Sequence, residues 1–114
     1  MLVFHNPACS KSRGALEILR DRHVEADVVE YLQTPPDRAT LERIVDAVPS
    51  EPVELVRKDK RFQELGLDPV GYVTRAQVVD LLLEHPELME RPVVFVGERA
   101  VIARPSEKVL ELLD

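Results

Sequence analysis

The sequence predicts an α/β fold in which a mixed sheet of about four strands is flanked by helices, with a helical insertion in the middle of the chain. Short apolar runs and amphipathic segments follow one another in the order β-α-β, then helices, then β-β-α. The chain has 114 residues, 45% of them apolar, which is enough for one hydrophobic core. Since no repeat or linker interrupts it, we expect a single domain over residues 1–114.

The first elements form a strand, a helix and a second strand. The β-branched and aromatic run Leu2–His5 stops at a proline-containing turn, which is typical of a buried strand. Apolar residues at helical spacing predict a helix over Ser12–Arg22. A second strand is expected over Ala26–Leu32, ended by Pro35. This order favours a parallel β-α-β unit.

Capping residues mark the helices in the middle of the chain. Asp37 is a candidate N-cap for a helix whose apolar stripe begins at Leu41. Gly66 is suited to the end of a short helix, because glycine readily adopts the left-handed conformation there. Thr74 and Gln77 have the spacing of a capping box, which predicts that another helix begins at this point.

The last third of the chain predicts a hairpin and a final helix. The apolar run Val93–Val96 is followed by Gly97, a favoured first residue of a two-residue hairpin turn, and by a returning strand. The final helix is expected to place Val109, Leu110 and Leu113 on one face.

Charge and hydropathy exclude several classes of function. The 15 Lys+Arg against 21 Asp+Glu give a formal net charge of -6, which argues against bulk binding to nucleic acid. The apolar runs are far shorter than the ~20 residues of a membrane span. The N-terminal run becomes polar at His5, too early for a signal peptide, so we expect a cytoplasmic protein.

The single cysteine is the candidate nucleophile. Cys9 follows the first strand and precedes the first helix, where backbone N–H groups and the helix dipole favour a thiolate. Lys11 and Arg13 add positive charge, so we predict a lowered pKa and a nucleophilic sulfur. Ser12 occupies the place of the second cysteine of a Cys-x-x-Cys motif. Any redox cycle therefore needs a thiol from another molecule.

Each residue around Cys9 also has a purely structural interpretation. A free cysteine is often a small buried apolar residue, although a polar, basic turn is a poor place for one. His5 either assists the thiolate or orients the loop, or it is simply a satisfied polar residue. Asn6 with Pro7 suits a turn, and Ser10 could be a plain helix N-cap.

Two other kinds of site are excluded by spacing. The phosphatase loop Cys-x5-Arg requires arginine where this chain has Ala15. A metal site is not expected, because His5, His23 and His85 show no paired ligand spacing and one cysteine cannot complete a thiolate site.

Several spaced motifs, taken together, resemble the glutaredoxin-coupled arsenate reductase family, whose fold is thioredoxin-like. The resemblance runs nearly from end to end. Its motifs are His5–Arg13, Tyr31-Leu32 before Pro35-Pro36, Leu55–Lys58, His85-Pro86 leading to Glu90–Val94, and Ala103–Glu107.

The resemblance implies roles for individual residues. Cys9 would be the nucleophile, and Arg57, Arg91 and Arg104 would bind the arsenate oxyanion, because a guanidinium fork matches paired oxygens as lysine cannot. Pro92 would be the cis-proline that packs beside the cysteine. The resemblance further implies glutathione as co-substrate, glutaredoxin as partner and no bound cofactor.

Two alternatives remain open. The first is a glutathione-dependent monothiol oxidoreductase of another substrate, since the chain ends at Asp114 without the C-terminal extension of some arsenate reductases. The second is an RNA-polymerase-binding regulator of the Spx type, although those proteins commonly carry cysteine where this chain has Ser12.

Overall fold

The fold, seen in a computed structural model that describes residues 1–113, is a four-stranded sheet between two layers of helices. The strands are β1 (Leu2–His5), β2 (Asp27–Glu30), β3 (Val93–Val96) and β4 (Arg99–Ile102). The α-helices are α1 (Ser10–Asp21), α2 (Arg38–Ala47), α3 (Lys60–Glu64) and α4 (Arg75–Glu84), and short 3-10 helices cover Pro52–Leu55, Pro86–Leu88 and Ser106–Leu112. Within residues 1–113, no helix has the length and apolar character to cross a bilayer.

The sheet has the order β2-β1-β3-β4 and mixes both strand orientations. β1 pairs in parallel with β2 and antiparallel with β3, so the first strand of the chain lies inside the sheet. β3 and β4 form the predicted hairpin, with Val96 opposite Arg99 and Gly97 at a φ of 60°. The predicted mixed α/β architecture is therefore confirmed.

Successive side chains of the central strands enter opposite cores, as strand geometry requires. Val3 and Val94 point to a core shared with α1 and the last 3-10 helix. Phe4 and Phe95 point to the larger core under α2 and α4, and their rings meet edge to face at 6.2 Å. Burial of each such apolar side chain stabilises the fold by roughly 1.5–3 kcal/mol.

The predicted helix caps are confirmed. The Asp37 carboxylate accepts a hydrogen bond of 2.8 Å from the Thr40 backbone N–H at the start of α2. Thr74 and Gln77 form both hydrogen bonds of the capping box. Gly66 follows α3 with a φ of 69°.

Two predicted boundaries, the start of the first helix and the end of the second strand, are wrong. α1 begins at Ser10 rather than Ser12, because Cys9 itself is the N-cap. β2 ends at Glu30, whose carbonyl accepts hydrogen bonds from the backbone N–H groups of Gln33 and Thr34. The chain therefore turns at Tyr31, and this fully buried side chain enters the larger core from a turn.

The last element is a 3-10 helix, and its burial pattern explains the incorrect prediction of its apolar face. Ser106, Val109 and Leu112 are buried at intervals of three residues, the period of a 3-10 helix. Leu110 and Leu113 are only half-buried, although an α-helical period would have turned them inward. The end of the predicted domain, Asp114, lies outside the described residues.

Candidate active site

The cysteine loop, His5–Arg13, joins the end of β1 to the first turn of α1 and places the sulfur at the start of that helix. The Cys9 backbone N–H donates to the Asn6 carbonyl at 3.0 Å, and the Cys9 carbonyl accepts from the Arg13 N–H at 3.0 Å. The Asn6 side-chain oxygen accepts from the Ala8 N–H, also at 3.0 Å. Cys9 is half-buried and remains accessible.

A buried serine holds the cysteine loop in place through hydrogen bonds. Ser12 is fully buried, and its oxygen accepts a hydrogen bond of 3.1 Å from the Asn6 backbone N–H. The same oxygen lies 2.7 Å from Nδ1 of His5. Burial lowers the pKa of His5 below its ordinary 6.5, against the opposing charge of Glu30. The ring is therefore neutral near pH 7, and its Nδ1 can accept a hydrogen bond from the Ser12 hydroxyl.

The protein environment favours the thiolate form of Cys9. Burial acts in the opposite direction and raises the pKa. Hydrogen-bond donors around the sulfur, namely the backbone N–H groups of Ser12 and Lys11 and the guanidinium groups of Arg91 and Arg104, outweigh this effect and lower the pKa to about 7. The fraction of thiolate at neutral pH is therefore higher than that of a free cysteine.

Arg104 comes from the segment that follows β4 and is held beside the sulfur. Its Nη1 lies 3.7 Å from Sγ of Cys9 and donates to the Arg91 carbonyl at 3.1 Å. Ser106, two residues later, donates from its hydroxyl to the Lys11 carbonyl at 2.7 Å. Gly14 permits this approach, because a Cβ there would lie 2.6 Å from the Ser106 oxygen.

Arg91 reaches the sulfur from the segment before β3. The Arg91–Pro92 peptide bond is cis, and Pro92 is buried. The Arg91 guanidinium favours the ionised forms of Cys9 and Tyr31 and so acts to lower the pKa of each side chain. Within residues 1–113, the buried Nε of Arg91 has no hydrogen-bond partner. The Arg104–Pro105 bond is also cis.

Tyr31 lies behind Arg91 and fills the space between this residue and the larger core. Its hydroxyl is 3.5 Å from the Met89 carbonyl, which accepts from it. Burial raises the pKa of Tyr31, although the positive charges of Arg91 and Arg57 oppose that rise. The phenol therefore stays neutral and supports the arginine side of the site.

Arg57 is brought to the site by two extended segments that pair with each other. Its backbone N–H donates to the Leu88 carbonyl at 2.7 Å, and the Glu90 N–H donates to the Leu55 carbonyl at 2.8 Å. The Arg57 Nε lies 3.3 Å from Asp59 and 3.7 Å from Glu90. A shallow cavity of about 210 Å³ opens here, lined by Val56, Arg57, Lys58, Asp59, Glu90 and Arg104.

The remaining residues of the cysteine loop face elsewhere. Ser10 is the exposed first residue of α1 and not its N-cap. The Arg13 guanidinium lies 3.5 Å from the Pro7 carbonyl and lines a separate concavity along α1. The Lys11 side chain is exposed, so this residue acts on the sulfur through its backbone N–H.

Sequence reasoning assigned no role to three residues that complete the site. Glu90 and Asp59 lie beside Arg57, and Tyr31 lies beside Arg91. These contacts form only when the chain folds, so the sequence does not reveal them. The available signal for Glu90 was its position directly before Arg91. Its residue type gave no signal, because Glu90 is one of 21 acidic residues in the chain.

These features define a thioredoxin-like protein with a reactive cysteine. The cysteine lies at the start of the helix that follows the first strand of a mixed sheet, with the Arg104 guanidinium beside its sulfur, and a cis-proline, Pro92, precedes β3. Among residues 1–113, no group of three His, Cys, Asp or Glu side chains is placed to hold a metal ion.

Comparison with known proteins gives the family. The ArsC family model matches residues 4–112, and the chain belongs to the ArsC family. An arsenate reductase from Neisseria meningitidis serogroup A is 40% identical over 113 residues, covering 97% of this chain and 96% of that protein. The uncharacterized protein YfgD from Escherichia coli is also 40% identical, covering 97% and 94%.

A solved structure supports the same conclusion. The arsenate reductase from Vibrio cholerae superimposes with a TM-score of 0.86 at 33% identity, covering 96% of this chain and 94% of that one. The resemblance inferred from the motifs and the thioredoxin-like fold are thus confirmed.

Proposed function

We propose that this protein reduces arsenate to arsenite, with Cys9 as nucleophile and Arg57, Arg91 and Arg104 as the oxyanion ligands. The observation that carries the proposal is the convergence of two guanidinium groups on a sulfur whose pKa is about 7. Arsenate reductases among the relatives make arsenate the first substrate to test.

The arginines reduce the electrostatic repulsion between the two reacting groups. A thiolate and an oxyanion repel each other, and fixed guanidinium groups offset that repulsion while orienting the oxygens. Arg91 also has an Nε donor without a partner within the described residues, which an acceptor could satisfy after a small side-chain movement.

The proposed chemistry begins with attack of the Cys9 thiolate on arsenic. An As–S bond forms, an As–O bond breaks, and the oxygen leaves as water after protonation. The glutathione thiol then displaces a second oxygen as water. A glutaredoxin thiolate removes the glutathione sulfur as a mixed disulfide, the electron pair of that As–S bond reduces As(V) to As(III), and hydrolysis from Cys9 releases arsenite.

The need for thiols from other molecules follows from what the cysteine loop lacks. The chain has one cysteine, and the Ser12 hydroxyl that stands in place of a second is buried and engaged by His5 and Asn6. The two thiols that complete the cycle must come from other molecules. The resemblance to the glutaredoxin-coupled family implies which thiols these are, and we propose glutathione as co-substrate, glutaredoxin as partner and the cytoplasm as the compartment.

The decisive test is a coupled assay with purified protein, glutathione, glutaredoxin, glutathione reductase and NADPH. We expect NADPH oxidation that depends on arsenate and falls to background in Cys9→Ser, whose circular dichroism spectrum should be unchanged. An arsenate-dependent rate no higher than that of Cys9→Ser would contradict the proposal. Reduction of a glutathione mixed disulfide without any arsenate response would support the monothiol oxidoreductase instead.

A further inference from the structure

Glu90 places a negative charge between two arginines of the site, and none of the proposed chemical steps uses it. Its Oε1 lies 3.7 Å from the Arg57 Nε, and its Oε2 lies 3.8 Å from the Arg104 Nε. Both distances are longer than a hydrogen bond. The carboxylate thus lies between the two guanidinium groups with acceptor capacity left over.

The backbone keeps this charge at a fixed position. The Glu90 N–H donates to the Leu55 carbonyl at 2.8 Å, and the Arg57 N–H donates to the Leu88 carbonyl at 2.7 Å. An isolated bridge between Val56 and Met89 joins the same two segments. Glu90 is therefore part of a rigid edge of the cavity.

The second carboxylate at the cavity already has a structural task. The Asp59 Oδ1 accepts a hydrogen bond of 3.2 Å from the Phe62 backbone N–H and caps α3. Within residues 1–113, Glu90 accepts no hydrogen bond of this kind, so its oxygens are the ones available to a ligand.

An ionised carboxylate can only accept hydrogen bonds. It repels a fully ionised oxyanion, but it can accept a hydrogen bond from an oxyanion oxygen that carries a proton. Near neutral pH, arsenate and phosphate keep at least one such proton, whereas sulfate keeps none. The tetrahedral shape and the charge of the three ions are otherwise closely similar.

We propose that Glu90 is a specificity-determining residue that accepts a hydrogen bond from the protonated oxygen of the bound oxyanion and so selects arsenate and phosphate over sulfate. This inference rests on the proposed function, because it assigns a role within the same oxyanion site. This role explains why an acidic residue lies between two of the arginines that are proposed to bind the oxyanion.

The test measures protection of Cys9 from iodoacetamide by phosphate and by sulfate, at constant ionic strength, in the full-length protein. In the wild type, phosphate should protect at a concentration at least about tenfold lower than sulfate, as expected for a hydrogen bond to a charged group. In Glu90→Gln, the amide can donate to sulfate, and the ratio should fall towards one, mainly through tighter sulfate binding.

Two variants separate selectivity from structural effects. Glu90→Asp keeps the carboxylate and should retain a preference for phosphate. Glu87→Gln is the matched control, since the Glu87 side chain is 32% exposed against 25% for Glu90 and pairs with Arg61 outside the cavity. It should leave the ratio unchanged.

Three outcomes would overturn the inference. Equal protection by both anions in the wild type would do so, as would a Glu90→Gln variant whose two affinities change by the same factor, which indicates positioning alone. If arsenate turnover persists in either case, the proposed function stands without this specificity. If neither anion nor arsenate protects Cys9 and turnover is absent, both proposals fail together.

Discussion

The cysteine loop and the arginine cluster, Arg57, Arg91 and Arg104, are assembled in opposite ways. The loop is one continuous segment closed by hydrogen bonds of 2.7 to 3.1 Å. The arginines come from three distant segments, and the carboxylates next to Arg57 and Arg104 lie 3.3 to 3.8 Å from them. The nucleophile is thus held firmly, while the cationic groups keep donors available for a ligand.

The largest effect should follow from changing the shape of an arginine while keeping its charge. In Arg104→Lys, the ammonium keeps the positive charge but cannot reproduce the planar guanidinium fork, which lies beside the sulfur and which we propose to bind the oxyanion. We expect kcat for arsenate reduction to fall about 100-fold, comparable to the loss of one oxyanion donor.

The matched control for that variant is Arg99→Lys in β4. The Arg99 guanidinium is exposed and donates to the Glu111 carbonyl, away from the cysteine. Turnover of Arg99→Lys should equal that of the wild type. If Arg104→Lys retained full turnover as well, guanidinium geometry would have no part in catalysis.

On the cysteine-loop side, Ser12→Ala should reduce stability. The change leaves the Asn6 N–H and the His5 ring without their buried partner, which costs about 1–3 kcal/mol in free energy of unfolding. Urea denaturation checks this, with exposed Ser10→Ala as the control. Equal stabilities of the two variants would show that the loop does not depend on this hydrogen bond.

The thiolate provides a measurement on which both regions act. The rate of Cys9 alkylation should rise with pH through a midpoint of about 7, because backbone and guanidinium donors lower the pKa of the thiol. Arg104→Gln removes one donor and one positive charge, so the midpoint should move upward. A wild-type midpoint near 8.5, the value of a free cysteine, would contradict the described environment.

The smallest effect is expected at the contact between α1 and the segment that follows Arg104, where Ser106 meets Lys11 and Gly14. Gly14→Ala would place a Cβ 2.6 Å from the Ser106 oxygen and force that hydroxyl away from the Lys11 carbonyl. We expect a net loss of about 1 kcal/mol, since overpacking outweighs the better helix propensity of alanine.

The double variant Gly14→Ala, Ser106→Ala removes the clash and isolates its contribution. Its free energy of unfolding should exceed that of Gly14→Ala alone, measured by the same denaturation experiment. A double variant less stable than the single one would show that the hydroxyl contributes more than the close approach costs.

What could be predicted from the sequence was mainly local. The caps at Asp37 and Thr74 and the turn at Gly97 depend on neighbouring residues, and all three are confirmed. The reactive position of Cys9 followed from a strand, a turn and a helix that are adjacent in the chain. These features need no knowledge of tertiary structure.

The features that sequence reasoning missed depend on distant contacts. The β propensity of Tyr31 favoured a place in the second strand. In the structure Tyr31 follows that strand, and its side chain packs in the larger core. The three-residue period of the last helix is imposed by packing against α1 and the sheet. Glu90 meets Arg57 only because two segments pair across the chain. No local pattern encodes these contacts.

The order of the strands has a consequence for biosynthesis. β1 emerges first from the ribosome but pairs with β3, and two of the donors to the Cys9 sulfur belong to Arg91 and Arg104. A nascent chain that has not yet been extended through residue 104 lacks both guanidinium groups. Its cysteine therefore behaves more like an ordinary thiol, and full reactivity towards oxidants and electrophiles arises only after the late hairpin has folded against the first strand.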